Sequence, residues 1–158
     1  ASNAASVPRF RWATADDRVV LEQQAGPEVV RRRLEAGHRA ATLWLEDKLI
    51  GTAWFAWDRY VDDETTTTIA LSPNQCWLFG SWVDRNHRSQ GHYKRMITSA
   101  YSELQSKGVS EILFAVDASN FMSQAAHQSL GAKRAGSLIG LRICGLPLYR
   151  VRHSSLQN

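Results

Sequence analysis

The sequence has little cysteine and no long apolar run, and each shortage excludes a class of protein. Only two cysteines occur in 158 residues, Cys76 and Cys144, and they form neither a CxxC motif nor a Cys/His metal spacing. A disulfide scaffold is therefore excluded, no metal is expected, and both thiols should be reduced and lie in or near the core. No stretch approaches the roughly 20 apolar residues that span a bilayer, and no signal peptide is recognisable. We therefore expect a cytoplasmic protein without a membrane partner.

The sequence also lacks internal repeats, linkers and low-complexity blocks, which favours a single domain. With 44% hydrophobic and 22% charged residues, its composition is typical of a globular protein. A chain of this length can bury a sizeable core. We predict one domain over residues 1–158. About residues 1–6 are set aside, because Ser2-Asn3-Ala4 resembles the remnant of a cleaved purification tag.

Positive charge is in excess, which favours an anionic partner. The formal net charge is +4 and the pI is near 9.4. Nucleotides, nucleic acids and acidic surfaces all satisfy this charge. A nucleic-acid reader would carry a basic face with exposed aromatics, whereas the cations here cluster at the start of one helix. We therefore expect no nucleic-acid partner.

Hydrophobic periodicity and turn signals predict an α/β (α+β) protein. Helices are predicted at 27–37, from about His92 to Gly108, and at 120–131. Strands are predicted at 41–57 (a hairpin turning at Asp47-Lys48), 76–84, 111–117, 135–145 and 148–152. The strand at 111–117 is nearly all apolar, so we expect both of its faces to be covered. This order gives a mixed sheet with crossover helices at its centre, not a long all-parallel array.

The stretch WVDRNHRSQGHYKRM, residues 82–96, has the form of an anion site. A strand runs into a short loop, Gly91 allows close backbone approach, and a helix begins near His92. Cations at a helix N-terminus oppose its dipole by about 0.3–1 kcal/mol each, a conflict that a bound anion would resolve. The alternative is a basic, solvated helix start. The phosphate motifs GxxxxGK[ST] and GxGxxG are absent. The surrounding cations are Arg85, Arg88, Lys94 and Arg95.

This stretch resembles the acetyl-CoA-binding signature of the GNAT superfamily of N-acetyltransferases, R/Q-x-x-G-x-G/A. Residues 88–93 are in register with it, and Tyr93 stands where the pattern has glycine or alanine. The following helix is similar to a second family pattern through Asn120, Ser123, His127 and Gly131-Ala132, and EDKLIGTAWF looks like the family's second and third strands. The resemblance covers roughly residues 40–152. It implies a single GNAT domain with a mixed, mostly antiparallel twisted sheet, whose central parallel strands splay apart and are flanked by helices.

The resemblance implies acetyl-CoA as co-substrate, bound between the splayed strands. The backbone of Trp82, Val83 and Asp84 would pair with the pantetheine arm, and Gly80 and Ser81 are candidates for a strand bulge. Asn120 would bind the pantetheine or the start of its own helix, and Ser123 would make a further contact. Tyr93 begins the apolar face of its helix, so its ring should turn towards the sheet. We expect either a slightly displaced helix start or a ring that lines the pantetheine slot. The pyrophosphate would lie at Arg88, Ser89, Gln90, Gly91, His92 and Tyr93.

The reaction implied is direct acetyl transfer to an amine, which calls for an acid and a base. His127 occupies the position of the family's acid and can donate a proton near neutral pH, although it could equally be packed as a structural histidine. Where some relatives carry a glutamate base this chain has Trp77, so Asp58 is our candidate base. The alternatives are Asp84, the acidic turn Asp62-Asp63-Glu64, Tyr60, a base acting through water, and an amine that arrives neutral and needs no base.

We therefore predict an N-acetyltransferase that acts on a small-molecule amine or an amino sugar, and we leave a homodimer open. The alternative is a catalytically weak CoA-binding module of the same fold, suggested by Trp77 and Tyr93. The six tryptophans of the chain fit either ordinary strand packing or an aromatic acceptor pocket.

Overall fold

The computed structural model describes residues 6–62, 67–143 and 146–153. Within these residues the chain alternates short helices with strands and ends in a hairpin. The elements are β1 (Arg9–Trp12), α1 (Arg18–Ala25), α2 (Pro27–Glu35), β2 (Arg39–Leu45), β3 (Lys48–Ala56), β4 (Arg59–Val61), β5 (Thr68–Ala70), β6 (Gln75–Val83), α3 (His92–Gln105), β7 (Glu111–Leu113), α4 (Phe121–Ser129), β8 (Gly136–Ile143) and β9 (Leu146–His153).

The main sheet has five strands in the order β1-β2-β3-β6-β7. Its neighbours pair antiparallel except β6 and β7, which are parallel and are joined through α3. The pairs β4–β5 and β8–β9 form separate antiparallel hairpins. The predicted mixed, mostly antiparallel α/β architecture is therefore confirmed. Of the described helices, none is long and apolar enough to cross a bilayer.

Helices cover the two faces of the sheet and create two apolar clusters. The buried face of α3 packs on β2 and β3, together with Cys76 and Leu78 of β6. The second cluster joins Leu21 of α1 and Val30 of α2 to Trp44 and Trp54 of the sheet. Strand packing accounts for these two tryptophans, since Trp44 is only 9% exposed and Trp54 fully buried.

Several elements differ from the sequence-based expectation. The strand β1, the helix α1 and the hairpin β4–β5 were not expected, and they lie in the parts of the chain with the weakest patterns. β7 ends at Leu113, not at residue 117, and its two apolar residues are only half-buried because β6 is its one partner in the described sheet. The following residues named above lie outside the described part of the chain: Ser2, Asn3, Ala4, Asp63, Glu64 and Cys144.

Candidate active site

The central strands β6 and β7 part soon after they meet. Their parallel pairing runs only from Gln75 opposite Glu111 to Trp77 opposite Leu113. Beyond Trp77, β6 continues along β3 to Val83, whereas the chain after Leu113 leaves the sheet. Among the described strands, the far half of β6 therefore pairs on one edge with β3, and its other edge faces an open gap. We call this space the gap.

A bulge in β6 lies beside the gap. Trp54 pairs with Phe79 and Thr52 with Trp82, so Gly80 and Ser81 together face the single residue between Thr52 and Trp54. Gly80 has φ +56°, and a Cβ there would lie 2.8 Å from the Arg33 guanidinium. The positive φ favours glycine at this position, whereas the Arg33 guanidinium is the end of a flexible side chain and can move aside. The bulge lies where the sequence predicted it.

Val83 presents its backbone groups to the gap. The N–H of the next residue, Asp84, donates to the carbonyl of Ile50 on β3 at 2.9 Å. Successive residues of a strand direct their backbone groups to opposite edges, so the Val83 N–H and C=O face away from β3. The Val83 carbonyl accepts a hydrogen bond from Nε of Arg88 at 3.0 Å. Of the three strand residues predicted to pair with a ligand, Val83 is the one whose backbone is directed to the gap.

The carboxylate of Asp84 holds the loop that follows β6. It accepts hydrogen bonds from the Asn86 N–H at 2.9 Å and His87 Nδ1 at 3.0 Å, and it pairs with Lys48 Nζ at 3.0 Å. Hydrogen bonds from His87, Lys48 and Asn86 lower the pKa of Asp84 to about 2. A carboxylate held in this way is a poor proton acceptor at neutral pH, so its role is to fix the loop.

The loop leads into a helix start that can receive an anion. Ser89 and Gly91 both have positive φ, 59° and 77°, and Gly91 caps α3 without a side-chain hydrogen bond. The first bond within α3 runs from the Arg95 N–H to the Gly91 carbonyl at 3.0 Å, so the amides of His92, Tyr93 and Lys94 have no acceptor inside the helix.

The cations around this helix start are exposed but differ in their contacts. Lys94 Nζ donates to the Ser129 carbonyl at 3.0 Å, at the end of α4, and Arg88 bonds Val83 as described. Arg85 and Arg95 are also exposed. Burial, and then the charges of His87 and Arg95, lower the pKa of His92, which favours its neutral form. The positive field at the helix start therefore comes from arginines, lysine and backbone amides.

His127 lies at the other side of the gap and contacts Tyr93. Its ring is 8% exposed, stacks on Phe114 with centroids 3.8 Å apart, and meets the edge of Tyr93 at 5.5 Å. The Tyr93 hydroxyl and His127 Nε2 are 3.2 Å apart. Burial lowers the pKa of His127, so the imidazole is neutral over a wider pH range. Phe114, the residue immediately after β7, is a site residue that the sequence analysis missed.

The predicted contacts on α4 are those of a helix cap. Asn120 precedes α4, and its Oδ1 accepts a hydrogen bond from the Ser123 N–H at 3.0 Å. Of the two roles considered for Asn120, this arrangement provides the one at the start of the helix. Ser123 itself is half-exposed.

Asp58 and the aromatic residues lie towards the other end of β6. Ala56, the last residue of β3, pairs with Trp77, and Asp58 follows it in the turn before β4. At about 3.3 Å per residue this puts Asp58 roughly 10 Å or more along the sheet from Gly80. Tyr60 stacks on Trp77 at 5.5 Å and contacts Phe79 at 4.6 Å. Arg33, a residue that no sequence pattern indicated, lies 5.2 Å from the Phe79 ring.

β6 has an open edge in the described sheet and leads to helix amides that have no acceptor inside α3. An α/β protein with this arrangement can bind an extended, phosphate-bearing ligand as an added strand. The chain belongs to the Acetyltransferase (GNAT) family, whose model matches residues 7–132. Among the described residues, no cluster of three or more His, Cys, Asp or Glu could hold a metal ion.

Solved structures share this fold at low sequence identity. The aminoglycoside N-acetyltransferase AAC(6')-Iy in complex with CoA aligns with a TM-score of 0.69 and 20% identity, covering 91% of this chain and 99% of that one. An aminoglycoside acetyltransferase from an uncultured soil metagenomic sample, in complex with sisomicin, aligns with a TM-score of 0.58 and 16% identity over 80% and 90% of the two chains. A transcriptional regulator from Bacillus halodurans C-125 aligns at 0.63 and 15% identity, covering 87% and 99%. No protein with a curated description matches the chain.

Proposed function

We propose that this protein transfers an acetyl group from acetyl-CoA to a primary amine of a small molecule or an amino sugar. The observation that carries the proposal is the gap between β6 and β7, which leads directly to the amides at the start of α3. A pantetheine arm has amide groups that can pair with a strand edge, and its pyrophosphate suits a helix N-terminus. Membership of an acetyltransferase family supports the same ligand.

The cofactor would be held mainly by backbone groups. The arm would pair with the N–H and C=O of Val83, which requires Arg88 to release the Val83 carbonyl. The released guanidinium could then pair with a phosphate. The pyrophosphate would bind at the amides of residues 89–93, where the positive φ of Ser89 and Gly91 shapes the turn. Because backbone groups do this work, Tyr93 in place of a small residue leaves the anion site intact.

The transfer would proceed by direct attack of the amine on the thioester. The new C–N bond forms as the C–S bond breaks, the amine loses a proton, and the sulfur gains one. Asp84 is held by the loop. Asp58 lies towards the start of β6, away from Gly80 and the gap, so a base role for Asp58 would act through water. The proton for the sulfur would come from the pair of side chains beside the gap, His127 and the Tyr93 hydroxyl that contacts it.

The acceptor would approach from the face of β6 that carries Trp77 and Phe79. These side chains point away from the α3 face, since Cys76 and Leu78 between them are buried against α3. Tyr60 and Arg33 complete this surface. Two of the structures compared above are aminoglycoside acetyltransferases, which supports an amino sugar as the first acceptor to test.

A CoA-binding module without efficient catalysis is the second candidate. It is favoured by Trp77, which occupies the position where some relatives have a carboxylate base. This candidate predicts the same CoA binding but no amine-dependent release of thiol.

The first experiment is a thermal unfolding series with acetyl-CoA, free CoA and ATP. A ligand at 100 times its Kd adds about 2.7 kcal/mol, which for a chain of this size raises Tm by roughly 5–10 °C. We expect this shift with both CoA species, and a much smaller one with ATP, which has no pantetheine arm. If neither CoA species raises Tm, both candidates are wrong.

The second step separates enzyme from binding module. Release of CoA thiol is followed with aminoglycosides and with simple primary amines, and a sample without amine gives the rate of thioester hydrolysis. Amine-dependent release above that rate supports the acetyltransferase. Binding without such release, across both sets of amines, supports the module.

A further inference from the structure

The hydroxyl of Tyr93 lies in the gap, between Ser81 and His127. On one side the Ser81 hydroxyl, in the bulge of β6, lies near enough to lower the pKa of Tyr93, which burial raises by more. On the other side the Tyr93 hydroxyl lies 3.2 Å from His127 Nε2, and the His127 ring rests on Phe114 at the end of β7. The oxygen is therefore placed between the two strands at the level of the bulge. An arm inserted in the gap would have to pass this oxygen.

Tyr93 is the more accessible member of this pair. His127 is 8% exposed, covered on one face by Phe114 and along an edge by Tyr93, whereas Tyr93 is half-buried. The Nε2 atom, through which His127 would act, is already directed at the Tyr93 oxygen. His127 thus reaches the gap through the tyrosine.

We propose that the Tyr93 hydroxyl is the group that donates a proton to the leaving sulfur, and that His127 is a positioning residue for it. The proposal rests on the proposed acetyl transfer and names a further catalytic residue for it. A neutral His127 that carries its proton on Nε2 would donate to the Tyr93 oxygen, which lies 3.2 Å away. The hydrogen of the Tyr93 hydroxyl is then left to point at the sulfur.

The proton balance of the step is complete. The amine nitrogen bonds to the acetyl carbon, and the C–S electron pair moves to sulfur. The Tyr93 proton passes to that sulfur to give CoA thiol, and the tyrosinate recovers a proton from water, which has taken the one lost by the amine. Burial raises the pKa of Tyr93, opposed in part by Ser81, so the hydroxyl is protonated at neutral pH before each turnover.

A matched pair of substitutions tests this role in turnover. Tyr93→Phe removes the hydroxyl and keeps the ring, and Tyr101→Phe makes the same change on α3 where the hydroxyl donates to the Ser110 carbonyl at 3.3 Å. We expect Tyr93→Phe to lower kcat by tenfold to a hundredfold, with KM for acetyl-CoA changed by less than about twofold. Tyr101→Phe should leave both constants unchanged. His127→Phe should lower kcat by a smaller factor than Tyr93→Phe.

A binding cycle tests the contact with sulfur independently of turnover. The Kd values of CoA and of desulfo-CoA, in which hydrogen replaces the thiol, are measured for the wild type and for Tyr93→Phe. A hydrogen bond between hydroxyl and sulfur predicts that loss of sulfur weakens wild-type binding by about threefold to tenfold and leaves Tyr93→Phe almost unaffected.

The outcomes separate this assignment from the proposed function. Binding of CoA by the wild type without any coupling to sulfur overturns the role of Tyr93 and leaves acetyl transfer standing. No CoA binding overturns both. An unchanged kcat in Tyr93→Phe, or a kcat that falls more in His127→Phe, also rejects Tyr93 as the donor, and faster turnover with tighter binding would mean that the ring blocks the gap.

Discussion

The two halves of β6 differ in burial and in strand pairing. Its first residues, Gln75 to Trp77, pair with β7, and Trp77 pairs with β3 as well. Cys76 and Leu78 are 0% and 3% exposed. Burial raises the pKa of the Cys76 thiol to about 12, so this cysteine is an inert core residue. The last residues, from Gly80 to Val83, are exposed or half-buried, contain a bulge, and pair with β3 alone.

Because of this difference, the first half of β6 mainly stabilises the fold, whereas the second half is available to bind a ligand. The first half removes apolar atoms from water, the main source of folding free energy. In the second half, no described strand pairs with the backbone N–H and C=O groups of Val83, which a fold tolerates where water or a ligand can satisfy them. The candidate site lies where β6 and β7 no longer pair.

The largest expected effect is a loss of stability when a buried side chain in the first half of β6 is truncated. Leu78→Ala leaves a cavity against α3, and a fully buried leucine truncated in this way lowers the free energy of unfolding by about 2–5 kcal/mol. Urea unfolding followed by circular dichroism measures the loss. Ser81→Ala, an exposed position on the same strand, should change the unfolding free energy by less than about 0.5 kcal/mol. Equal losses in both variants would contradict the division of the strand.

A smaller effect, confined to binding, is expected in the second half. Val83→Pro removes an N–H that faces the gap and breaks no bond to β3, so stability should change little. The affinity for acetyl-CoA should fall about tenfold or more, because the arm loses a backbone partner and meets the proline ring. Calorimetric titration measures the change. Val83→Ala, which keeps the N–H, should bind nearly as the wild type does. Tight binding by the proline variant would show that the arm does not pair with Val83.

The sequence was sufficient where the signal is local. The β2–β3 turn was predicted at Asp47-Lys48 and lies one residue earlier, at Glu46-Asp47, because Leu45 pairs with Lys48. This turn, the apolar face of α3 and the glycine of the bulge each depend on residues close together in the chain. Together with the family resemblance, these features were sufficient to predict the mixed sheet and its parallel central pair. The strand predicted at 111–117 was too long because its apolar residues after Leu113 do not pair in the sheet, and Phe114 instead stacks on His127. Periodicity cannot distinguish these two uses of an apolar residue.

The site contacts that the sequence did not reveal are long-range. Tyr93 and His127 are 34 residues apart, and no spacing rule links the end of one helix to the start of another. Lys48 and Asp84 meet because β3 lies beside β6. β1 was missed because four residues with a half-buried pattern are too few to distinguish from a loop. Such contacts follow from the topology, which short sequence motifs do not contain.

The smallest expected effect concerns the clamp that holds the open half of β6. Asp84 ends this half, and its carboxylate joins the loop at Asn86 and His87 to Lys48 on β3. The pKa of Asp84 is about 2 in the folded chain, below its ordinary value of 3.8, so the ionised clamp stabilises the fold above about pH 4. This stabilisation is lost as the pH falls from about 4 to 2, where the folded chain takes up the proton.

Asp84→Asn removes the charge and keeps a similar shape. We expect its Tm to lie slightly below that of the wild type at pH 5–7, and the two curves to converge as the pH falls to 2. Asp16→Asn, at an exposed carboxylate in the turn after β1, is the control and should keep the wild-type Tm at pH 5–7. A difference between Asp84→Asn and wild type that persists unchanged at pH 2 would mean that the shape of the loop, not the charge of Asp84, holds the open end of β6. If the wild type and Asp84→Asn coincide at every pH, the backbone pairing of β6 with β3 is sufficient to hold that end in place.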